Sequence, residues 1–343
     1  MGFRMGLPYG KIPVDILEEV VFKNLGAVRD EVILGPSAGI DGAVIEAGNR
    51  SLIMSMDPIT GALERIGWLA VNVNANDVAT FGVEPAFLFS CILLPEDANK
   101  KIVETICLQM NEAAKELNIA IAGGHCEVTP GLANPLVVGC MMGMTEKGNY
   151  VTAGGARPGD KLILTKSAGI EGTAILASDR EEQLKKAIAT RTLRSAKGFY
   201  DQISVVKDAM TAFKTGGVHA MHDPTEGGVT GGIHEMADAS NVGVKIFKEE
   251  IPIQPETTDI CRFFKIDPLQ LISSGALLVS SKPEFANKII ESLERQQIHA
   301  SIIGEFSKNL HERVITRKDG KAQALPRPLS DHLWLALKQG QIS

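Results

Sequence analysis

Asn72-Val73-Asn74-Ala75-Asn76-Asp77-Val78-Ala79-Thr80-Phe81-Gly82-Val83-Glu84-Pro85 sets three asparagines and an aspartate inside an otherwise apolar helical run. Asn and Asp side chains compete for backbone hydrogen bonds, and each costs roughly half a kcal/mol against Ala in a helix interior. Ala62, Leu63, Ile66, Leu69, Ala70, Val73 and Val78 keep helical spacing through this stretch, and Gly82 supplies the stop. Asn74 and Asp77, three apart, share a face. A solvated face would be rich in Lys and Glu, yet from Ile66 to Val83 Asp77 is the only charged residue. Asp77 therefore reads as a buried or cleft-facing carboxylate partnered by a metal ion or by a ligand held through one; the alternative is a self-contained structural network.

At 343 residues the chain has room for two domains, and 44% hydrophobic with 22% charged residues is ordinary for a soluble globular protein. A net charge of −6 and a pI near 5.7 lack the basic excess of a nucleic-acid binder, and no Lys/Arg cluster interleaves with aromatics. Cys91, Cys107, Cys126, Cys140 and Cys261 form no C-x-x-C pair, so reduced thiols are expected instead of a zinc knuckle or a disulfide framework. The longest apolar run, Pro135 to Met144, is about half the roughly 20 residues a membrane helix needs, and the start lacks a signal-peptide layout. A cytoplasmic protein without a membrane partner is expected.

The Gly-rich start carries Arg4 and Lys11, and Pro13 opens a predicted helix that runs to Gly26. Lys11 sits where an anion would be welcome, as a phosphate contact or as a plain solvated lysine. Two predicted strands, Gly42 to Ala47 and Ser51 to Met56, join at Gly48-Asn49. Asp41 precedes the first and Asp57 follows the second, so the hairpin brings two carboxylates to one sheet edge, where they repel unless a cation lies between them. With Asp77 they make an oxygen-only set that suits Mg²⁺ over zinc. For Asp57 alone, capping a helix ahead of Pro58 is the bland alternative. Further strands are expected at Ala86 to Leu93, Ile119 to Ala122 and Leu136 to Met144, with an amphipathic helix from about Glu96 to Leu117. The passage Gly123-Gly124-His125-Cys126-Glu127-Val128-Thr129-Pro130-Gly131 reads as a site loop, with His125 as base or phosphate contact and Glu127 as acid or metal ligand. A packed thiol is the simpler reading of Cys126.

A Gly/Pro-rich passage from Ala153 to Asp160 marks a boundary that divides the chain into residues 1–152 and 153–343. Helices are expected after Gly169, over Asp179 to Arg194, Tyr200 to Phe213, Thr257 to Phe264 and Lys282 to Gln296. Strands are expected at Val244 to Phe247, Ala276 to Val279 and Ala300 to Ile303, followed by a polar tail with a short helix near Leu329 to Leu337. His219-Ala220-Met221-His222-Asp223-Pro224-Thr225-Glu226-Gly227-Gly228 joins a short strand to a helix whose first amides suit an anion, although no Walker ending follows. A capped structural turn is the alternative.

The order D-G-A-V, M-D-P-I-T, N-V-N-A-N-D-V-A-T-F-G-V-E-P, G-G-H-C-E-V-T-P, G-A-R-P-G-D-K-L-I-L-T-K and H-D-P-T-E-G-G-V resembles the ATP-binding superfamily of aminoimidazole ribonucleotide synthetase, thiamine-monophosphate kinase, selenophosphate synthetase and the hydrogenase maturation factor. The likeness spans nearly the whole chain and is nearest the maturation-like branch. It implies an α/β fold of two domains: an N-terminal mixed sheet that forms a barrel in a homodimer, and a C-terminal ferredoxin-like α/β sandwich. It also implies that Asp41, Asp57 and Asp77 bind Mg²⁺ and ATP phosphates with Asn74 in support. Gly123 and Gly124 would belong to the metal and phosphate loop, and Asp223, Thr225, Glu226, Gly227 and Gly228 would face the ATP cleft. The family usually has an acidic residue directly after the paired glycines, where this chain has His125. The maturation factor uses a C-terminal cysteine, where this chain reads Gln341-Ile342-Ser343, and selenophosphate synthetase uses an early Cys, where none precedes Cys91. The expectation is an Mg²⁺-dependent enzyme that transfers the γ-phosphoryl group of ATP to an oxygen of a small substrate, with Lys11, His125 and Glu127 catalytic. A non-catalytic ATP-binding maturation partner and a plain His125/Glu127 hydrolase are the alternatives.

Overall fold

A computed structural model of the chain describes residue 7, residues 10–60 and residues 63–339. The expectations placed on Arg4, Ala62, Gln341, Ile342 and Ser343 lie outside these residues. Six strands, β1 (Val32–Leu34), β2 (Ala43–Ala47), β3 (Arg50–Ile59), β4 (Pro85–Leu94), β5 (Ala120–Val128) and β6 (Leu136–Glu146), form a sheet in the order β1-β2-β3-β6-β4-β5. Only the β4–β5 pair is parallel, and in the single chain the sheet is open. Seven more strands form a second sheet in the order β13-β12-β9-β11-β7-β10-β8: β7 (Lys161–Thr165), β8 (Val218–His222), β9 (Gly243–Phe247), β10 (Leu278–Ser281), β11 (Ala300–Ser307), β12 (Arg313–Thr316) and β13 (Ala322–Ala324).

The helices are α1 (Val14–Ile16), α2 (Ile66–Ala79), α3 (Lys100–Glu116), α4 (Ile170–Asp179), α5 (Glu181–Leu184), α6 (Thr190–Lys197), α7 (Val206–Thr215), α8 (Gly228–Ala239), α9 (Pro255–Phe264), α10 (Pro283–Arg295) and α11 (His332–Lys338). None is long and apolar enough among the described residues to cross a membrane. The long helix expected after Pro13 is only α1 and a π-helical turn, Leu17–Val21, without a buried residue in either. An isolated run of that length has too little packing to hold a longer helix. Likewise Tyr200 lies in a 3-10 turn ahead of α7, and the expected charged helix is broken into α5 and α6.

The asparagine-rich helix α2 is buried on all sides because it packs against both halves of the chain. Ile66, Ala70, Ala75 and Val78 join the core under the first sheet, whereas Leu69 and Val73 pack with Ile170 and Leu176 of the second half. Asn76 adds a polar tie: its amide donates to the Ile203 carbonyl and its oxygen accepts from the Val205 N–H, each at 2.8 Å. At a buried site with both partners met, this contributes on the order of 1 kcal/mol per bond. Gly82, at φ +73°, ends the helical path with the Phe213 ring packed against it. On α3, Asn99 caps the N-terminus by accepting from Ile102 N–H at 3.2 Å, and Ile106, Met110, Ala113 and Ala114 form the buried stripe.

Two strands are longer than their sequence signals. Pro58 reads as a strand end, but β3 continues through it to Ile59. Past Met54 the strand β2 no longer pairs with β3, so β3 has only β6 beside it and a proline without an N–H is tolerated. Asp57 is consequently a strand residue and caps no helix. Gly123 and Gly124 read as a loop, yet both lie inside β5, where a Cβ would meet the Phe89 ring and the Ser90 carbonyl respectively. These glycines answer to close strand approach.

Candidate functional site

Helix α2 and strand β3 face each other, and their polar residues meet. Asp77, only 4% exposed, accepts a hydrogen bond from the Ser55 hydroxyl and has the Asp57 carboxyl as a charged neighbour. Asn74 is wholly buried. Its oxygen accepts from the Asp57 N–H at 2.9 Å, and its amide donates to the carbonyls of Asp57 at 3.3 Å and Ala70 at 2.9 Å. Gly139, opposite Asp57 on β6, leaves the space that the Asn74 amide fills. Asn74 thus reaches the site through Asp57, with its oxygen and its amide N–H groups engaged by the chain itself.

The second half closes on this wall through the end of β8. His222, 1% exposed, donates from Nδ1 to Asp41 Oδ2 at 2.7 Å and from Nε2 to Glu235 Oε2 at 2.9 Å. Next to it Asp223 is equally buried, and neither of its carboxylate oxygens has a hydrogen-bond partner. Ligand atoms of Asp41, His222 and Asp223 all lie within 4.8 Å of one another. Lys11 lies over this group, more than half exposed, with its ammonium 3.7 Å from Glu235 and its backbone N–H donating to Glu226 at 2.7 Å.

The electrostatics follow from burying like charges together. Burial, then Asp57, Asp223 and Asp41, push the Asp77 carboxyl well above the usual carboxylate range. Asp223 is raised by burial and Asp41, and Asp57 is raised by burial against the opposing pull of Lys11. Burial disfavours the charged form of His222, but Asp41 and Glu235 outweigh it and hold the imidazolium well above its ordinary value. Burial also works against ionised Glu235, yet Lys11 and His222 bring it down to about 2. Three carboxyls that resist ionisation, one of them without a partner, form a site short of positive charge.

The sequence expectations place unevenly. Asp41, Asp57, Asp77 and Asp223 lie close enough to act on one another electrostatically, and of them Asp41 and Asp223 group with His222. An imidazole, that of His222, stands beside Asp41, where the sequence reading has oxygen alone. The glycine turn is corrected as well. The Gly227 N–H donates to Asp331 Oδ2 at 2.7 Å and the Gly228 N–H to the Thr225 carbonyl at 3.0 Å. An anion does sit at that helix start, but it is the chain's own Asp331, which also caps α11 by accepting from Leu333 N–H. Thr225 and Glu226 are thereby tied to backbone and to Lys11.

His125 and Glu127 are not brought to the acidic group of their own chain. Asp57 pairs with Gly139, Gly139 with Ser90, and Ser90 with Gly124, which puts β5 three strand spacings away, roughly 14 Å. His125 and Glu127 also point to the opposite face from Gly124 and hydrogen-bond to each other at 3.0 Å on the exposed edge. Gly123 and Gly124 share that distance. Residues that sequence reasoning missed are His222, Glu235, Ser55 and Glu171. Glu171 starts α4, is raised to about 7 by burial against its bond from Ser274, and keeps an unpartnered oxygen. His222 stands in the quoted segment directly before Asp223, but its partner Asp41 is 181 residues away, so no local spacing reveals it.

Known proteins share this arrangement of chain. The family described as AIR synthase related protein, N-terminal domain, matches residues 39–145, and its C-terminal domain counterpart matches residues 157–317. A hydrogenase expression/formation protein of Methanocaldococcus jannaschii is 28% identical over 339 residues, 96% of this chain and 97% of its own length. Carbamoyl dehydratase HypE of Rhizobium leguminosarum bv. viciae is 29% identical over 278 residues, 78% of this chain and 77% of its own. Among solved structures, a chain of the HypE–HypF complex superposes with a TM-score of 0.76 at 24% identity, covering 91% of this chain and 99% of that one. HypE in complex with ATP gives 0.71 at 21%, covering 94% and 96%, and AaThiL complexed with AMPPCP and TMP gives 0.72 at 19%, covering 94% and 99%. The two-domain α/β fold is common to these three solved structures and this chain.

Proposed function

The chain belongs to the AIR synthase-related family, and from that premise we propose that it is an ATP-using, Mg²⁺-dependent enzyme that transfers the γ-phosphoryl group to an oxygen of a small substrate. The observation that carries this reading is the carboxylate group of Asp41, Asp57, Asp77 and Asp223, in which Asp77 and Asp223 are buried, Asp41 and Asp57 half-buried, and both Asp223 oxygens unpartnered. Such a group fits a divalent cation, since carboxylates clustered in low dielectric need positive charge to ionise. Mg²⁺ bound there would supply charge neutralisation to phosphoryl oxygens. The chain's own residues supply position. Asn74 fixes the β3 backbone at Asp57, Ser55 orients Asp77, and the Lys11 ammonium faces the cleft, where a phosphate is attracted. HypE and AaThiL have been crystallised with ATP and AMPPCP, which supports ATP as the nucleotide for this fold.

The same proposal takes residues 1–152 as the ATP, Mg²⁺ and dimerisation domain and 153–343 as the domain that completes the cleft. It also takes the active species as a homodimer. Among the described residues no helix lies over one face of the first sheet, which presents Met54, Met56, Phe89, Cys140, Met142 and Met144, a surface suited to a second copy. His125 and Glu127 lie on that face, so their proposed part in the reaction is supplied across the dimer. ADP release by the purified protein with Mg²⁺, screened over small amides, carboxylates and phosphate esters, tests the reading; absence of cation-dependent turnover with every one of them sinks it.

The relationship to a hydrogenase expression/formation protein over nearly the whole chain favours a second reading, a non-catalytic ATP-binding maturation partner. ATP affinity without ADP release, together with co-purification of another protein, selects it.

A further inference from the structure

We propose that His222 is a metal ligand, and that Asp41, His222 and Asp223 form a mixed nitrogen and oxygen site that takes Mn²⁺ or a later first-row divalent ion in preference to Mg²⁺. The inference deepens the cation-dependent reading above and rests on it for the site's location, though not for the chemistry of the ligands.

Three observations carry it. The Nδ1 of His222 and the Oδ2 of Asp41 face each other across a 2.7 Å hydrogen bond, so both can turn to one cation once the proton between them leaves. Asp223 brings two buried oxygens, neither with a partner, to within 4.8 Å of that pair. An unpaired buried carboxylate is costly, and here it borders an imidazole nitrogen and a second carboxylate. On its far side His222 meets Glu235 Oε2 at 2.9 Å through Nε2. That is the outer-carboxylate arrangement which fixes a ligating histidine: Nε2–H stays donated to Glu235, and the Nδ1 lone pair is directed to the metal. The proton now shared between Nδ1 and Asp41 leaves to solvent when the cation enters. Lys11, at 3.7 Å from Glu235, keeps that outer carboxylate ionised.

Imidazole ligation changes which ion is favoured. Mg²⁺ is held through oxygen and water, whereas a site with one imidazole and two carboxylates also suits Mn²⁺, Fe²⁺, Co²⁺ and Zn²⁺. The Asp57 and Asp77 side of the cleft, with the Ser55 hydroxyl, offers oxygen alone.

Mn²⁺ alone, added to the nucleotide-free full-length protein, tests this by pulsed electron paramagnetic resonance. Nitrogen-14 modulation from a directly bound imidazole is expected in the unaltered protein, with Mn²⁺ bound about tenfold more tightly than Mg²⁺ by calorimetry. His222→Gln is expected to remove the nitrogen signal, and Glu235→Gln to weaken Mn²⁺ binding by about 10- to 100-fold. Bound Mn²⁺ without nitrogen coupling, or no Mn²⁺ binding, overturns the proposal, and both results come from the unaltered protein, so no variant has to fold for the answer. Mg²⁺-dependent ADP release together with an all-oxygen Mn²⁺ spectrum would defeat this inference and leave the phosphoryl-transfer reading standing. Nitrogen-coupled Mn²⁺ with no nucleotide turnover would do the reverse.

Discussion

Asn74 holds both backbone polar groups of Asp57, accepting from its N–H at 2.9 Å and donating to its carbonyl at 3.3 Å. A helix residue thereby sets the position of a strand residue that carries a site carboxylate. Asn74→Ala leaves these buried groups without partners, and a loss of about 2–4 kcal/mol in urea unfolding is expected. Divalent-ion affinity should fall with it. A variant that binds the cation as before would show that Asp57 needs no such support.

Asp77→Asn replaces a carboxyl whose ionisation is disfavoured by burial and by its acidic neighbours with an amide that cannot ionise. The Ser55 hydroxyl still finds an acceptor, so the cation-free melting temperature is expected to rise by about 2–4 °C. Turnover, on the proposed function, should fall by roughly 100-fold or more. Destabilisation of the cation-free protein would mean that Asp77 is a structural residue.

Stability should depend on pH in a definite direction. Asp57, Asp77 and Asp223 hold protons more tightly folded than unfolded, so their contribution is full at low pH and is lost as pH rises through the folded values. His222, also raised, contributes fully below its unfolded value and loses that contribution as pH rises through its folded value. Glu235, brought down to about 2, has the opposite sign and matters only as pH falls toward that value. The cation-free melting temperature is therefore expected to drop from about pH 5 to pH 9, and added divalent ion to raise it more at about pH 8 than at pH 5.5. Differential scanning fluorimetry at the two pH values decides it; an equal rise at both speaks against metal binding by these carboxyls.

His125 lies three strand spacings from Asp57 of its own chain. If it acts across a homodimer, His125→Ala alone loses turnover, and mixing it with Asp77→Asn rebuilds one whole site in each mixed dimer. About a quarter of the original rate should return after random exchange. An unimpaired His125→Ala protein would remove the residue from the reaction, and failure of the mixture to recover would place its role within one chain.

How much the sequence discloses depends on the range of the interaction. Helix α2 is legible because its polar residues are anomalous against an apolar run, and Asp77 is buried as that run implies. Asp57 is found, but its element is mistaken, since Pro58 looks like a strand end until the missing β2 neighbour is known. Gly123 and Gly124 carry the same ambiguity: a glycine needed for close packing and a glycine needed for a turn read alike. His222 is hidden by distance along the chain, and the anion at Gly227 is hidden because Asp331 returns from 104 residues away. The short strands β12 and β13 lie in a polar tail with no alternation to mark them.

The uncovered face of the first sheet is rich in thioether sulfur, at Met54, Met56, Met142 and Met144. Peroxide would convert these side chains to sulfoxides, polar groups on a surface suited to apolar contact. A homodimer assembled through this face, as proposed above, should therefore weaken under peroxide and recover with methionine sulfoxide reductase.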